Sequence, residues 1–199
     1  MRVIAGEFRG RKLLAPETEV TRPITDRVKQ SLFDILTPRL AGALVWDLFA
    51  GTGSLGLESL SRGAERALFF ETDRGAVARL RRNIQDLRLR HDRAVVHATD
   101  VFKWFRGWDR ADAPKSAAPP PRADIIFLDP PYRYLADQPE DLRRLGRLFG
   151  RQHLLPQGIV VFRHDARDSL ELPGLTRYDQ RTYGGMMLEF LAIAEPTNP

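Results

Sequence analysis

The chain has 199 residues and not one cysteine. Disulfides and cysteine zinc sites are excluded, and the composition suits a reducing compartment such as the cytoplasm. Lysine is scarce: Lys12, Lys29, Lys103 and Lys115 stand among 31 basic residues, and the other 27 are arginines. Histidine occurs only as His91, His97, His153 and His164, without the spacing of a metal site, so no bound metal is expected. No stretch approaches the ~20 apolar residues that span a bilayer. Arg2, Glu7 and Arg9 interrupt any apolar run at the start, so neither a signal segment nor a membrane partner is expected. An acidic excess is missing too. The formal net charge is +5, which permits a nucleic-acid partner without establishing one. Codon bias accounts for most of the arginine excess, so its distribution says more: residues 1–14 hold Arg2, Arg9, Arg11 and Lys12 against Glu7.

What is present is organised around Ala43-Leu44-Val45-Trp46-Asp47-Leu48-Phe49-Ala50-Gly51-Thr52-Gly53-Ser54-Leu55-Gly56. An apolar run ends at Asp47, a glycine-rich turn follows, and Leu55, Leu57 and Leu60 begin a helical pattern. Strand, Gly-x-Gly-x-x-Gly turn and helix make a nucleotide-binding unit, with Gly51 for the bend, Gly53 for ligand approach and Gly56 for close helix packing. An ordinary strand-to-helix turn also satisfies that pattern. Glu71 adds to it, because it ends the apolar run Ala67–Phe70 and lies 20 residues after Gly51. About that spacing separates the glycine turn from an acid that grips ribose hydroxyls; the plain alternative is a solvated acid at a strand end.

A third segment is Asp129-Pro130-Pro131-Tyr132, after the run Ile125–Leu128. The prolines remove two backbone donors and stiffen the turn. A row of acceptors remains, the Asp129 carboxylate and the Pro130 carbonyl, with the flat Tyr132 beside them. That arrangement suits an exocyclic amine on a base; a merely rigid turn is the alternative.

Periodicity predicts two short strands at 2–5 and 11–14, punctuated by Gly6 and Gly10, as a small basic hairpin. Thr25 is placed to cap a helix from Asp26 to about Leu36, with Val28, Leu32 and Ile35 on its buried face. Further strands are expected at 43–48, 66–71, 93–98, 123–129 and 158–163, with a closing hairpin at about 175–182 and 186–193. Helices are expected near 54–62, 74–88, 99–106 and 138–153. Such alternation makes a parallel sheet with helices on both faces, and its ligands sit at the strands' carboxyl ends. Asp47, Glu71, Asp100 and Asp129 fall at or just beyond four such ends. Asp100 can equally cap the following helix. Residues 107–122, rich in Ala and Pro, read as a flexible surface loop.

Asp-Pro-Pro-Tyr downstream of such a loop resembles the amino-methyltransferases that use S-adenosylmethionine. Within them the chain closely resembles the RsmD family, bacterial enzymes that methylate guanine N2 of 16S ribosomal RNA. The likeness is carried by Met1–Gly6 with Arg9–Leu13, by Arg22–Val28, Asp47–Glu58, Ser61–Ala64, Leu128–Tyr132 and Tyr183-Gly184, and runs to about residue 193. It implies a Rossmann-like class I α/β fold, with a mostly parallel seven-stranded sheet, an antiparallel last strand and a small N-terminal β-hairpin arm. Residues 1–40 would be an arm and flap, and 41–195 the methyltransferase domain. The resemblance assigns the cofactor to Asp47, Phe49, Ala50, Gly51, Gly53, Glu71, Asp100, Val101 and Thr25. It assigns catalysis to Asp129, Pro130 and Tyr132, and RNA contact to Arg2, Arg9, Arg11, Lys12, Arg22 and Arg27. The implied partner is 16S rRNA in the small subunit or its assembly intermediate, met by a monomer. The chain departs from the family in two places. Loop 107–122 is longer than usual, and Arg163-His164 stands where the family often has Glu after the fifth strand. Asp-Pro-Pro-Tyr also serves DNA amino-methyltransferases, acting on adenine N6 or cytosine N4, but no separate target-recognition domain is evident. A dehydrogenase would leave Asp129–Tyr132 unexplained. A non-catalytic RNA-binding assembly factor is the alternative from another class.

Overall fold

A computed structural model describes residues 1–15, 24–107 and 120–194. Among the described residues seven strands form a mixed sheet, and the chain divides into two compact units, Met1–Val101 and Phe102–Pro199.

In the first unit β1 (Leu44–Leu48), β2 (Arg66–Glu71) and β3 (Ala94–Ala98) run parallel with β2 central. Trp46 lies opposite Leu68, and Leu68 opposite Val95. A central parallel strand is covered on both faces, which is why Ala67, Leu68, Phe69 and Phe70 form an unbroken, fully buried apolar run. Helix α1 (Asp26–Leu36) is capped by Thr25, whose hydroxyl accepts the Val28 N–H at 3.3 Å. Its inner face buries Val28, Leu32, Phe33 and Leu36, and with them Lys29. Helix α2 (Ser54–Ser61) is buried from Leu55 to Ser61. Helix α3 (Arg74–Asp86) starts at an Asp73 cap that accepts the Ala76 N–H at 2.7 Å.

The two N-terminal strands expected from the sequence shrink to one bridge, Arg2 with Lys12. The reason lies in where the intervening amides go. Ile4 and Ala5 donate to the Glu58 carboxylate at 2.8 and 3.0 Å, and Phe8 donates to the Ser61 hydroxyl at 2.9 Å. Glu7 donates to the Ser61 carbonyl at 2.7 Å. Donors that would extend a ladder are used to dock the arm on α2. Gly6 lets that docking happen: a Cβ there would lie 1.8 Å from the Ser61 carbonyl oxygen.

In the second unit β4 (Ala123–Leu128) pairs in parallel with β5 (Leu154–Asp165). Strand β7 (Met186–Ile193) lies antiparallel between β5 and β6 (Leu175–Tyr183), so the closing hairpin forms where the sequence placed it. Helix α4 is Val101–Arg106, α5 is Tyr134–Asp137 and α6 is Pro139–Leu148. The single helix expected at 138–153 ends at Leu148 and loosens into a π turn over Phe149–His153. There Gly150 packs against the Gly174 carbonyl, where a Cβ would come within 2.7 Å of the oxygen. Strand β5 starts at Leu154, four residues before the expected 158, and α5 was not foreseen. Most of the expected loop at 107–122, residues 108–119, lies outside the described residues. Among the described residues no helix is long and apolar enough to cross a membrane.

Candidate active site

The candidate residues fall in both units, and each set is built by its own strands. In the first unit, β1 delivers Asp47 to a buried position, 2 % exposed, where Oδ2 accepts the Gly56 N–H at 2.8 Å. The acid that resemblance assigns to the cofactor therefore also fastens the first turn of α2. Beyond β1 the backbone reverses through left-handed conformations at Phe49 (φ 61°), Gly51 (φ 55°) and Gly53 (φ 86°). A non-glycine residue there is uncommon and marks a local constraint. Phe49 was assigned from family pattern, and nothing in the sequence announced its strained backbone.

Gly51 serves the bend as expected, with its positive φ, whereas Gly53 plays a role that differs from the expected one. A Cβ on Gly53 would lie 2.4 Å from Leu80 Cδ1, so its bareness serves packing against α3. A Cβ on Gly51 would meet nothing within 4 Å, so the open approach to the loop is at Gly51. Gly56 behaves as expected: a Cβ would lie 2.3 Å from the Phe69 ring, so the glycine lets α2 close on β2.

At the end of β2, Glu71 turns back on this loop. Its Oε2 accepts the Gly51 N–H at 2.7 Å, and its Oε1 accepts the Thr72 and Asp73 amides at 2.7 and 2.8 Å. Each carboxylate oxygen has two acceptor sites, so Oε2 retains one beside the open approach at Gly51. At the end of β3, the Thr99 amide bonds the Glu71 carbonyl at 2.9 Å, bringing half-buried Asp100 to the same end of the sheet. Val101 follows, 2 % exposed. Asp47, Gly51, Glu71 and Asp100 are thus collected at one end of three parallel strands. Thr25 is exposed, and its hydroxyl is occupied by the α1 cap.

The arm carries Arg2, Arg9, Arg11 and Lys12, all exposed. Arg2 pairs with Asp26 at 2.8 Å, and Arg11 donates to the Asp86 carbonyl at 2.6 Å. Arg27 is exposed on α1, and Arg22 lies outside the described residues. Two buried side chains tie this arm to the glycine loop. Lys29 Nζ donates to the Arg2 carbonyl at 2.6 Å and the Ser54 hydroxyl at 3.3 Å, and lies 3.3 Å from Glu58. Burial pushes the Lys29 ammonium below its ordinary pKa, while Glu58 opposes the shift. Asn83 accepts the Leu14 N–H at 2.8 Å and donates to the Thr52 carbonyl at 3.0 Å. Sequence reading gave Lys29 no role; a lysine among the apolar positions of α1 was the available signal.

In the second unit, β4 ends in Asp129. Its carboxylate Oδ1 accepts Arg163 Nε at 2.5 Å. The Arg163 guanidinium carbon also lies 6.0 Å from the Tyr132 ring centroid, in cation–π range. Burial pushes the Asp129 carboxyl above its ordinary pKa, and Arg163 pulls against it. In the same turn, the Pro131 and Tyr132 carbonyls accept the Tyr134 and Leu135 amides at 2.8 and 3.2 Å. Among the described residues the Pro130 carbonyl accepts no such bond. The Asp129 carboxylate, bound by Arg163 through Oδ1, and the Pro130 carbonyl, which among the described residues takes no backbone bond, are two acceptors one residue apart. Among the described residues no group of three His, Cys, Asp or Glu side chains could hold a metal ion.

A family model described as "Conserved hypothetical protein 95" matches residues 1–192. The Bacillus subtilis protein YlbH is 35 % identical over 198 residues, 92 % of this chain and 94 % of its own. The ribosomal RNA small subunit methyltransferase D of Haemophilus influenzae is 39 % identical over 139 residues, 69 % of this chain and 67 % of its own. Among solved structures, the Escherichia coli protein yhhF superposes with a TM-score of 0.79 at 27 % identity, covering 98 % of this chain and 99 % of that one.

Proposed function

The chain belongs to the RsmD family of methyltransferases, and from that premise we propose that it methylates the exocyclic N2 of a guanine in 16S ribosomal RNA. The methyl donor of that reaction is S-adenosylmethionine, which supplies an electrophilic methyl carbon on a sulfonium. The residues of the first unit fit such a molecule. The approach at Gly51 is open, and Glu71 has acceptor capacity for ribose hydroxyls beside it. Asp47 would offset the cationic methionine end, backbone groups from Phe49 to Gly53 would line it, and Asp100 with Val101 would meet the adenine edge. Thr25 belongs to the flap over this site.

The observation that carries the reading is the acceptor pair at the end of β4. Guanine N2 is a poor nucleophile because its lone pair is delocalised into the ring. Its two N–H groups would donate to the Asp129 carboxylate and the Pro130 carbonyl. That fixes the nitrogen and favours a pyramidal geometry in which the lone pair can attack. When bound, S-adenosylmethionine would supply the methyl carbon to the nitrogen and keep the electron pair of the broken carbon–sulfur bond on sulfur, and one N–H proton would pass to water. The site's contribution is orientation and charge stabilisation. Tyr132 stacks on a base presented unpaired or turned out of its helix.

Arg2, Arg9, Arg11, Lys12, Arg22 and Arg27 follow RNA phosphates. On this reading residues 1–40 form the RNA-facing arm of a methyltransferase domain spanning 41–195. The protein works as a cytoplasmic monomer on the small subunit or its assembly intermediate. Replacing Asp129 by Ala is expected to lower the methylation rate about 10²-fold or more, as when a positioned charge-stabilising group is lost. Single-turnover transfer from labelled cofactor measures this, and a parental rate would refute the assignment.

A further inference from the structure

Building on that methyl-transfer reading, we propose that Arg163 is the positioning residue of the acceptor carboxylate: it holds Asp129 by one oxygen and leaves the other to the amine. The strand register supplies the geometry. Strands β4 and β5 pair Leu128 with Phe162, so the next residues along, Asp129 and Arg163, are neighbours across the strand ends. Arg163 is 4 % exposed, and its Nε lies 2.5 Å from Asp129 Oδ1. The same guanidinium lies 6.0 Å from the Tyr132 ring centroid. One buried cation therefore contacts both the acceptor acid and the aromatic face intended for the base.

Three consequences follow from the chemistry of the pair. A buried carboxylate without a cation tends to take up a proton, and a protonated Asp129 would present an O–H where the amine needs an acceptor. A planar guanidinium bound at Oδ1 restrains rotation of the carboxylate more than a point charge would. The hydrogen bond from Arg163 engages Oδ1, which leaves Oδ2 to accept the substrate N–H. The charged group acting on Asp129 is Arg163, and its own turn carries Tyr132, Arg133 and Tyr134. From the flanking strands, Glu189 of β7 pairs with Arg177 of β6 at 2.5 Å and lies 3.8 Å from His164. His164 follows Arg163 and so points to the opposite face of β5. The arginine that departs from the family's usual glutamate thus acquires a specific task in this chain.

The test uses the full chain, undermethylated small subunits and labelled S-adenosylmethionine. Rates are measured from about pH 5 to about pH 9 for the parent, Arg163→Gln, Arg163→Lys and Asp129→Asn, alongside cofactor affinity by calorimetry and thermal melting. For Arg163→Gln, the rate should fall about tenfold or more and the acidic limb of the profile should move to higher pH, with cofactor affinity unchanged. Arg163→Lys should keep the limb near its parental position and recover part of the rate. If Arg163→Gln has the parental rate and profile while Asp129→Asn is inactive, the positioning role is wrong and the methyl-transfer reading stands. If the rate falls but the limb does not move, Arg163 is only structural and the proposal fails. If Asp129→Asn also works at the parental rate, the underlying reading fails. Should Arg163→Gln not fold, Arg163→Lys decides: a lowered rate with parental melting and cofactor affinity supports the role, and a parental rate, or a rate that falls only together with melting or cofactor affinity, overturns it.

Discussion

Glu71 shows how a single side chain can organise a loop. Its carboxylate gathers the amides of Gly51, Thr72 and Asp73, so it ties the glycine loop to the end of β2. Replacing Glu71 by Ala leaves those donors without their acceptor, at about 1–3 kcal/mol for each one that stays buried. Cofactor affinity should therefore drop by about tenfold to a hundredfold while folding persists; calorimetric titration with S-adenosylmethionine measures this. Unchanged affinity would remove Glu71 from the binding set. Asp47 and Glu71 were legible from the sequence because each acid closes an apolar run, which marks the carboxyl end of a buried strand. Arg163 was visible only as a departure from a family pattern. Its task depends on the pairing of Leu128 with Phe162, and a sequence does not state which residues lie opposite in a parallel ladder. The glycines were legible as a group but not one by one. Leu80 of α3, distant in sequence, crowds Gly53, while nothing among the described residues crowds Gly51.

At the level of elements, the arm and the glycine loop are mechanically joined. Lys29 connects the Arg2 carbonyl to Ser54, the first residue of α2, and sits against Glu58, which holds Ile4 and Ala5. Removing one partner of a buried ion pair leaves the other poorly compensated, typically at about 3–5 kcal/mol. Lys29→Met should cost somewhat less, because Arg62 still pairs with Glu58 at 2.8 Å. A melting temperature several degrees below the parent, with faster proteolysis within residues 1–15, is the expected outcome. An unchanged melt would show that the arm docks without Lys29. Strands and long helices were readable from periodicity because each buries a regular stripe. The arm does pair back on itself as a hairpin, but its strands are shorter than expected because several of its amides are satisfied by Glu58 and Ser61, more than fifty residues away. The end of α6 was misread because the packing of Gly150 on Gly174 is equally non-local.

For the molecule as a whole, buried histidine sets a direction for stability against pH. Burial, with Arg122 nearby, pushes His153 from 6.5 down to about 4. As pH falls from about 6.5 the unfolded chain takes up this proton first, so the stability His153 contributes is complete above that point and declines towards pH 4. The whole change amounts to about 3 kcal/mol, and half-buried His97, also pushed down by burial, acts in the same direction. Melting temperatures should therefore rise between pH 4 and 6.5, and His153→Phe should flatten that slope; a parental slope in the variant would contradict the assignment. Net charge and the basic arm agree with a nucleic-acid substrate, but the sequence-level argument for methylation rests on the acid-ended strands and the proline turn. The most direct measurement offers labelled S-adenosylmethionine together with undermethylated small subunits, naked 16S rRNA or DNA, followed by digestion and identification of the labelled nucleoside. The account predicts N2-methylguanosine from the ribosomal substrate, whereas label in adenine or cytosine of DNA, or no transfer to RNA at all, would contradict it.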